Sequence, residues 1–138
     1  MHIILQTVWL AYHPRIWDNA PFTGIPDATA IIKGRRVRNL DTGVTEYSEN
    51  PAYCTFDYLT HPIFGKDLQA NEYDLDSFKL GGRIANTAVP KFQGSEETQP
   101  LFTCNAVIDT GQSVLDNTEI LSKSMRALMP IINGKLTL

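Results

Sequence analysis

The sequence predicts an α+β fold: three helices packed on a mixed, largely antiparallel sheet, with a β-rich N-terminal third. Three observations carry this. Up to about residue 47 the apolar residues come in short runs separated by turn residues, which is the pattern of strands. From Pro51 the spacing changes to steps of three and four, the period that stacks side chains on one face of a helix. Near the end, Asn133-Gly134 stands between Ile131-Ile132 and Leu136-Thr137-Leu138, and both turn residues tolerate positive φ, a strong hairpin signal. One domain is expected of 138 residues. Within 1–138, residues 1–47 form its β-rich part, and 48–138 an α/β part that ends in the hairpin.

Taken in order, residues 3–12 read as a core strand, because both faces of I-I-L-Q-T-V-W-L-A-Y are rich in large apolar residues. His13-Pro14 breaks it, and a loop with Pro21, Gly24 and Pro26 follows. Ala28 to Lys33 is a second strand. Gly34 allows a turn or bulge before Arg35-Arg36-Val37, and Asp41-Thr42-Gly43 turns the chain into a short return strand at Val44–Tyr47. Ser48 or Asn50 then caps a helix over 51–60, with Pro51 in its first turn, where the missing N–H costs nothing. Tyr53, Phe56 and Leu59 share one face, and His61-Pro62 ends it.

Asp74 or Asp76 starts a second helix over 75–89, with Leu75, Phe78, Gly82, Ala85 and Val89 on one stripe. Each of Gly81 and Gly82 weakens it by about 1 kcal/mol relative to Ala. A glycine pair in a stripe implies that another backbone lies close by. Pro90 to Pro100 is polar loop. Phe102, Cys104, Ala106 and Ile108 alternate with Thr103 and Asn105, a half-buried strand. Ser113 caps the third helix, over 113–128, and Asp116 completes a capping box. Val114, Thr118, Leu121, Met125 and Leu128 form its stripe, and Pro130 is expected to stop it.

The 43% hydrophobic and 20% charged residues describe an ordinary soluble chain, and a net charge of −3 argues against dominant binding to nucleic acid or an anionic membrane. No uncharged apolar run reaches the roughly 18 residues a membrane helix needs, so no membrane-spanning segment is expected. The apolar opening lacks the basic start and small-residue cleavage site of a signal peptide. Cys54 and Cys104 form no C-x-x-C motif and read as buried small hydrophobes rather than a disulfide.

Candidate chemistry is sparse. No H-E-x-x-H, G-x-S-x-G, G-x-G-x-x-G or phosphate-loop pattern occurs. His2, His13 and His61 stand without ligand-spaced neighbours. Asp67, Glu72, Asp74 and Asp76 are acidic but lack calcium-loop spacing, and placement near a helix N-terminus explains them. Lys33, Arg35, Arg36 and Arg38 form a basic run without interleaved aromatics, so a solvated strand-turn face is the better reading than a phosphate contact. Asp109 follows a strand, a place where catalytic carboxylates occur, but it is also an ordinary turn residue. These readings name no catalytic, metal or cofactor residues.

The order G-R-R-V (34–37), D-T-G (41–43), S-E-N-P-A (48–52), D-Y-L-T (57–60), F-G (64–65) and F-T-C-N-A-V-I-D-T (102–110) resembles the lambda-type phage tail tip protein J, the tail hub family of long-tailed phages and prophages. G-I-P-D-A-T-A-I-I-K-G is similar to that family's G-x-P turn before a strand, and I-I-N-G-K to its hairpin, where Gly-Gly is commoner. The likeness runs from about Gly24 to Lys135. It implies a structural role and no enzymatic activity: a hub at the distal end of the tail tube that contacts the distal tail protein and the tape measure and closes as a homo-oligomer, a trimer in the full-length context. The implied location is the virion tail tip, after assembly in the bacterial cytoplasm. Relatives are far longer, so the chain reads as a segment of a larger hub protein. The alternatives are a small cell-wall hydrolase using Asp109, and a module that binds a host-surface ligand. Self-association through the Met1–Tyr12 strand is a further expectation, because an unpaired apolar strand edge recruits another chain.

Overall fold

The structure, a computed structural model, describes residues 33–138. The strand expected over 3–12, nearly all of that over 28–33, the loop between them, His2, His13 and the Met1–Tyr12 contact lie outside the described residues. Within them, helix α1 (Pro51–Leu59) is the centre, packed against α2 (Leu75–Ala85), α3 (Val114–Lys123) and strand β1 (Val37–Arg38). It is buried almost all round, as a helix surrounded by other elements must be.

Asn50 starts α1. Its backbone is extended, and its side-chain oxygen accepts the N–H groups of Ala52 and Tyr53 at 3.0 and 3.3 Å. Ser48, the other possible cap, instead accepts the N–H of Asn50 at 3.1 Å. After Thr60 the chain reverses around His61, whose Nδ1 accepts from Ile63 and Phe64, each at 3.2 Å, while its ring stacks on that of Phe64. Asp74 starts α2 by accepting the N–H of Asp76. Phe78, Gly82 and Ala85 of the expected stripe are buried, and Phe56 meets both Tyr73 and Phe78 edge-on, at centroid distances of 5.0 and 5.4 Å.

Helix α2 stops at Ala85, not at residue 89. Val89 belongs to β3 (Ala88–Pro90), paired antiparallel with β4 (Thr98–Pro100). The segment expected to be loop from Pro90 to Pro100 is therefore a hairpin. Its loop is clamped by Lys91 N–H to Glu97 O at 3.0 Å and by their side chains at 2.6 Å. Its strands are largely solvated, so no apolar alternation marks them, and prolines at both ends disguise them.

Phe102 to Ile108 is extended, and its side chains alternate as expected: Cys104 and Ile108 are buried, Thr103, Asn105 and Val107 exposed. It is not a strand. The N–H groups of Phe102 and Cys104 donate to Ala85 and Glu49, so they tie the segment to the end of α2 and the start of α1 rather than to a ladder.

Ser113 caps α3 by accepting from Asp116 N–H at 3.1 Å. The helix ends at Lys123, short of the expected residue 128. Arg126 takes a left-handed backbone (φ 55°), and the bonds Arg126 N–H to Lys123 O and Ala127 N–H to Ser122 O, both 3.1 Å, form a Schellman closure. Pro130 is therefore not what stops it. Met125 stays buried, but Leu128, expected on the stripe, is 84% exposed.

The last hairpin forms as expected, β5 (Ile131–Ile132) against β6 (Lys135–Leu136), with Asn133 and Gly134 at φ 52° and 75°. Near the start, β1 pairs with β2 (Thr45–Glu46) across a turn with Gly43 at φ 76°. The fold class is α+β with short antiparallel ladders. Among the described residues, however, the strands form separate two-stranded ladders, the last of them tied to Tyr73 by a parallel bridge at Leu136, and the helices pack on one another rather than on one sheet. Val37, Tyr53, Cys54, Tyr58, Phe78, Cys104, Ile108 and Leu121 fill the core.

Candidate functional site

The polar residues of the described fold are mostly committed to holding it together. Asn50 does more than cap α1: its amide nitrogen donates to Gly82 O at 2.8 Å and Asn86 Oδ1 at 2.9 Å, joining the start of α1 to the end of α2. Asn117, 1% exposed, donates to Asp109 O and the Tyr58 hydroxyl and accepts from Asp109 N–H, which pins the loop before α3 to α1. Asp41 accepts from Arg83 through two nitrogens, at 2.7 and 2.9 Å, and from the Tyr53 hydroxyl at 3.0 Å. The Arg83 guanidinium and the Tyr53 hydroxyl hold the Asp41 carboxyl below its ordinary value. Burial, then the bond to Asp41, pushes Tyr53 up to about 12. Among the described residues no buried side-chain nitrogen or oxygen lacks a partner. Sequence patterns signalled Asn50, placed before Pro51, but nothing local distinguished Asn117.

The residues singled out in the sequence do not converge. Asp109 is exposed and uses its carboxylate to accept the N–H of Gly111 at 2.8 Å, a local turn. Glu72 accepts from Gln69 N–H, Asp74 caps α2, and Asp76 lies 4.0 Å from Lys79. The basic run is dispersed: Lys33 sits over the Tyr47 ring, Arg35 binds Asp57 at 2.6 Å, and Arg36 donates to Thr45 O. Cys54 and Cys104 are buried free thiols, and burial pushes that of Cys54 up to about 12. No group of three or more His, Cys, Asp or Glu comes together among the described residues, and no described helix is long and apolar enough to cross a membrane.

Open clefts are found among the described residues. One, of about 390 Å³, is lined by Tyr47, Glu49, Asn86 and Phe102 among others. Another, of about 420 Å³, has Phe56 and Tyr73 among its walls and Arg38, Asp57 and Lys79 beside them. Asp57 is already held by Arg35, and Glu49 by the Tyr47 hydroxyl. Large apolar side chains also stand in solvent: Ile63, Phe92, Leu115, Leu128 and Ile131 are each more than two-thirds exposed.

The molecule is thus an α+β module whose buried polar side chains stabilise the fold and whose surface carries exposed apolar side chains among its charged ones. No family model matches it. It is similar to the baseplate hub protein pb3 of Escherichia phage T5, 21% identical over 150 aligned positions that take in 96% of this chain. The chain spans only 16% of that protein's length. The likeness is to a phage tail hub in general; the lambda-type branch is a finer assignment.

Proposed function

We propose that the chain is a structural component of a bacteriophage or prophage tail tip, a hub module of the lambda-type kind that acts by protein–protein assembly at the distal end of the tail tube. The observation that carries this reading is the alignment of nearly the whole chain with part of a baseplate hub protein. The satisfied polar network and the exposed apolar side chains support it, since an assembly module needs a firm core and surfaces to cover. On this reading the partners are other tail proteins, the distal tail protein and the tape measure, and identical subunits close a ring, a trimer in the full-length context. The function includes no catalytic step.

The test is to raise antibodies against the chain and label particles by immunogold electron microscopy, alongside particles from a gene disruption. Gold at the distal tail end, and defective tails without the gene, are expected. Unlabelled particles with normal tails after disruption overturn the proposal. The absence of catalysis is tested with Asp109→Asn, which should leave any cell-wall lytic signal in a zymogram unchanged.

A further inference from the structure

The backbone of the last hairpin determines what its outer edge can do. Leu136 uses both backbone groups on the side away from β5: its N–H donates to Glu72 O at 2.8 Å and its carbonyl accepts from Asp74 N–H at 2.9 Å. Leu136 stands opposite Ile131. That pair therefore exchanges no bonds, and the N–H and C=O of Ile131 point away from β6, as alternate pairs of an antiparallel ladder do. Thr137 N–H to Pro130 O at 3.0 Å keeps the same alternation one step on, which turns Met129 outward with Ile131. Neither Met129 nor Ile131 has a backbone bond on that side to another described residue. Among the described residues the edge is apolar as well as open, with Ile131 74% and Ile132 52% exposed; Leu128, three residues before Ile131, is 84% exposed.

Charge selects the occupant. From residue 120 to 138 the chain carries Lys123, Arg126 and Lys135 and no Asp or Glu; Glu72 and Asp74 lie along the opposite side, beyond β6, where their carboxylates accept the N–H groups of Gln69 and Asp76. Lys123 is matched by Glu119 at 2.8 Å, whereas Arg126 and Lys135 are exposed and have no ion pair among the described residues. A second copy laid along this edge would set its own Arg126 and Lys135 near these, like charge against like. We infer that the outer edge of β5 docks an extended segment of a partner protein by strand addition, a segment with an apolar centre and acidic flanks. The inference deepens the assembly reading and rests on it only in taking the occupant to be a protein.

The experiment measures fluorescence anisotropy of two synthetic peptides on the full chain. Both have the centre Val-Thr-Val-Thr-Val; one is flanked by Asp-Glu pairs, the other by Lys-Lys pairs. The acidic peptide should bind about tenfold tighter or more, a preference that shrinks as salt is raised. Ile131→Pro removes an N–H the hairpin does not use, and should abolish binding while the circular dichroism of the chain is unchanged. Should that variant misfold, Lys135→Gln combined with Arg126→Asn, in which Asn suits the left-handed position, should erase the preference between the peptides. The inference is overturned if neither peptide binds, if both bind equally, or if a well-folded Ile131→Pro variant still binds. It is also overturned if the parent self-associates in light scattering and Ile131→Pro stops it, because the edge then belongs to a second copy. Gold labelling of tail tips can succeed while both peptides fail, so the two readings fall separately.

Discussion

Three glycines of this chain illustrate how differently one residue type can be constrained. A Cβ on Gly65 would lie 1.6 Å from the carbonyl oxygen of Tyr58, which is backbone at the end of α1 and cannot step aside. Gly82 faces the Tyr53 ring, 2.2 Å from the same hypothetical atom, whereas Gly81 meets the movable end of Leu138 at 2.7 Å. The glycine pair thus makes room for side chains, not for another backbone. Gly65→Ala should cost more than about 3 kcal/mol, and Gly82→Ala about 1–3 kcal/mol, as overpacked cores do. Gly81→Ala should fall within about 1 kcal/mol of the parent, because the helix propensity gained offsets a small shift of Leu138. Urea denaturation of the three variants checks the order. The raised Cys54 thiol predicts a second residue-scale outcome, since only thiolate reacts: iodoacetamide at pH 8 should leave Cys54 of the folded chain unlabelled and modify it once urea is added.

At the scale of elements, the helix ends are held by specific side chains. Asn50→Ala removes a cap and a buried tie to α2 together, so a loss of about 2–3 kcal/mol is expected, against about 1 kcal/mol for an ordinary cap. Asn50→Asp keeps the cap but turns a donor toward Gly82 O into an acceptor, and should recover only part of that loss. Arg126 sits at the left-handed position that helices closed in this way usually give to glycine. Arg126→Gly should therefore raise the thermal midpoint by relieving a left-handed strain of about 1 kcal/mol, read by calorimetry. The same closure explains why the third helix stops early: Arg126 is no helix breaker by type, and its conformation is set by the turn that brings Ala127 back to Ser122.

For the whole molecule, the buried ionisable groups predict an alkaline limit. Cys54 and Tyr53 are both raised to about 12 in the folded chain, from ordinary values of 9.0 and 10.0. A raised folded value means that the unfolded chain releases its proton first, so stability is intact below about pH 9 and is lost as pH climbs toward 12. Cys54→Ala and Tyr53→Phe should each flatten that decline in denaturation midpoints measured from pH 8 to 12. A decline of the same steepness in both variants would refute the assignment.

The three helices, the Ser113 cap, the pairs Ser48 or Asn50 and Asp74 or Asp76 that contain the other two caps, and the Asn133-Gly134 hairpin were legible in the sequence because each rests on local chemistry: a side chain that accepts a neighbouring N–H, a ring that lacks one, a turn residue that tolerates positive φ. The alternation from Phe102 to Ile108 was equally legible as burial, but whether its backbone joined a ladder depended on which elements came alongside. The early end of α2 followed the same rule, since the carbonyls of Ala85 and Thr87 accept from Phe102 and Leu101 of the incoming segment instead of continuing the helix. Tertiary structure alone decided the polar sites. The partners of Asn117 and Asp41 lie on other elements, up to 59 residues away for Asn117 and Tyr58, beyond the reach of any local pattern. The two-residue turn by itself points the backbone groups of Ile131 outward; tertiary structure decided that Glu72 and Asp74 came to Leu136 while no other described residue bonds the backbone of Ile131.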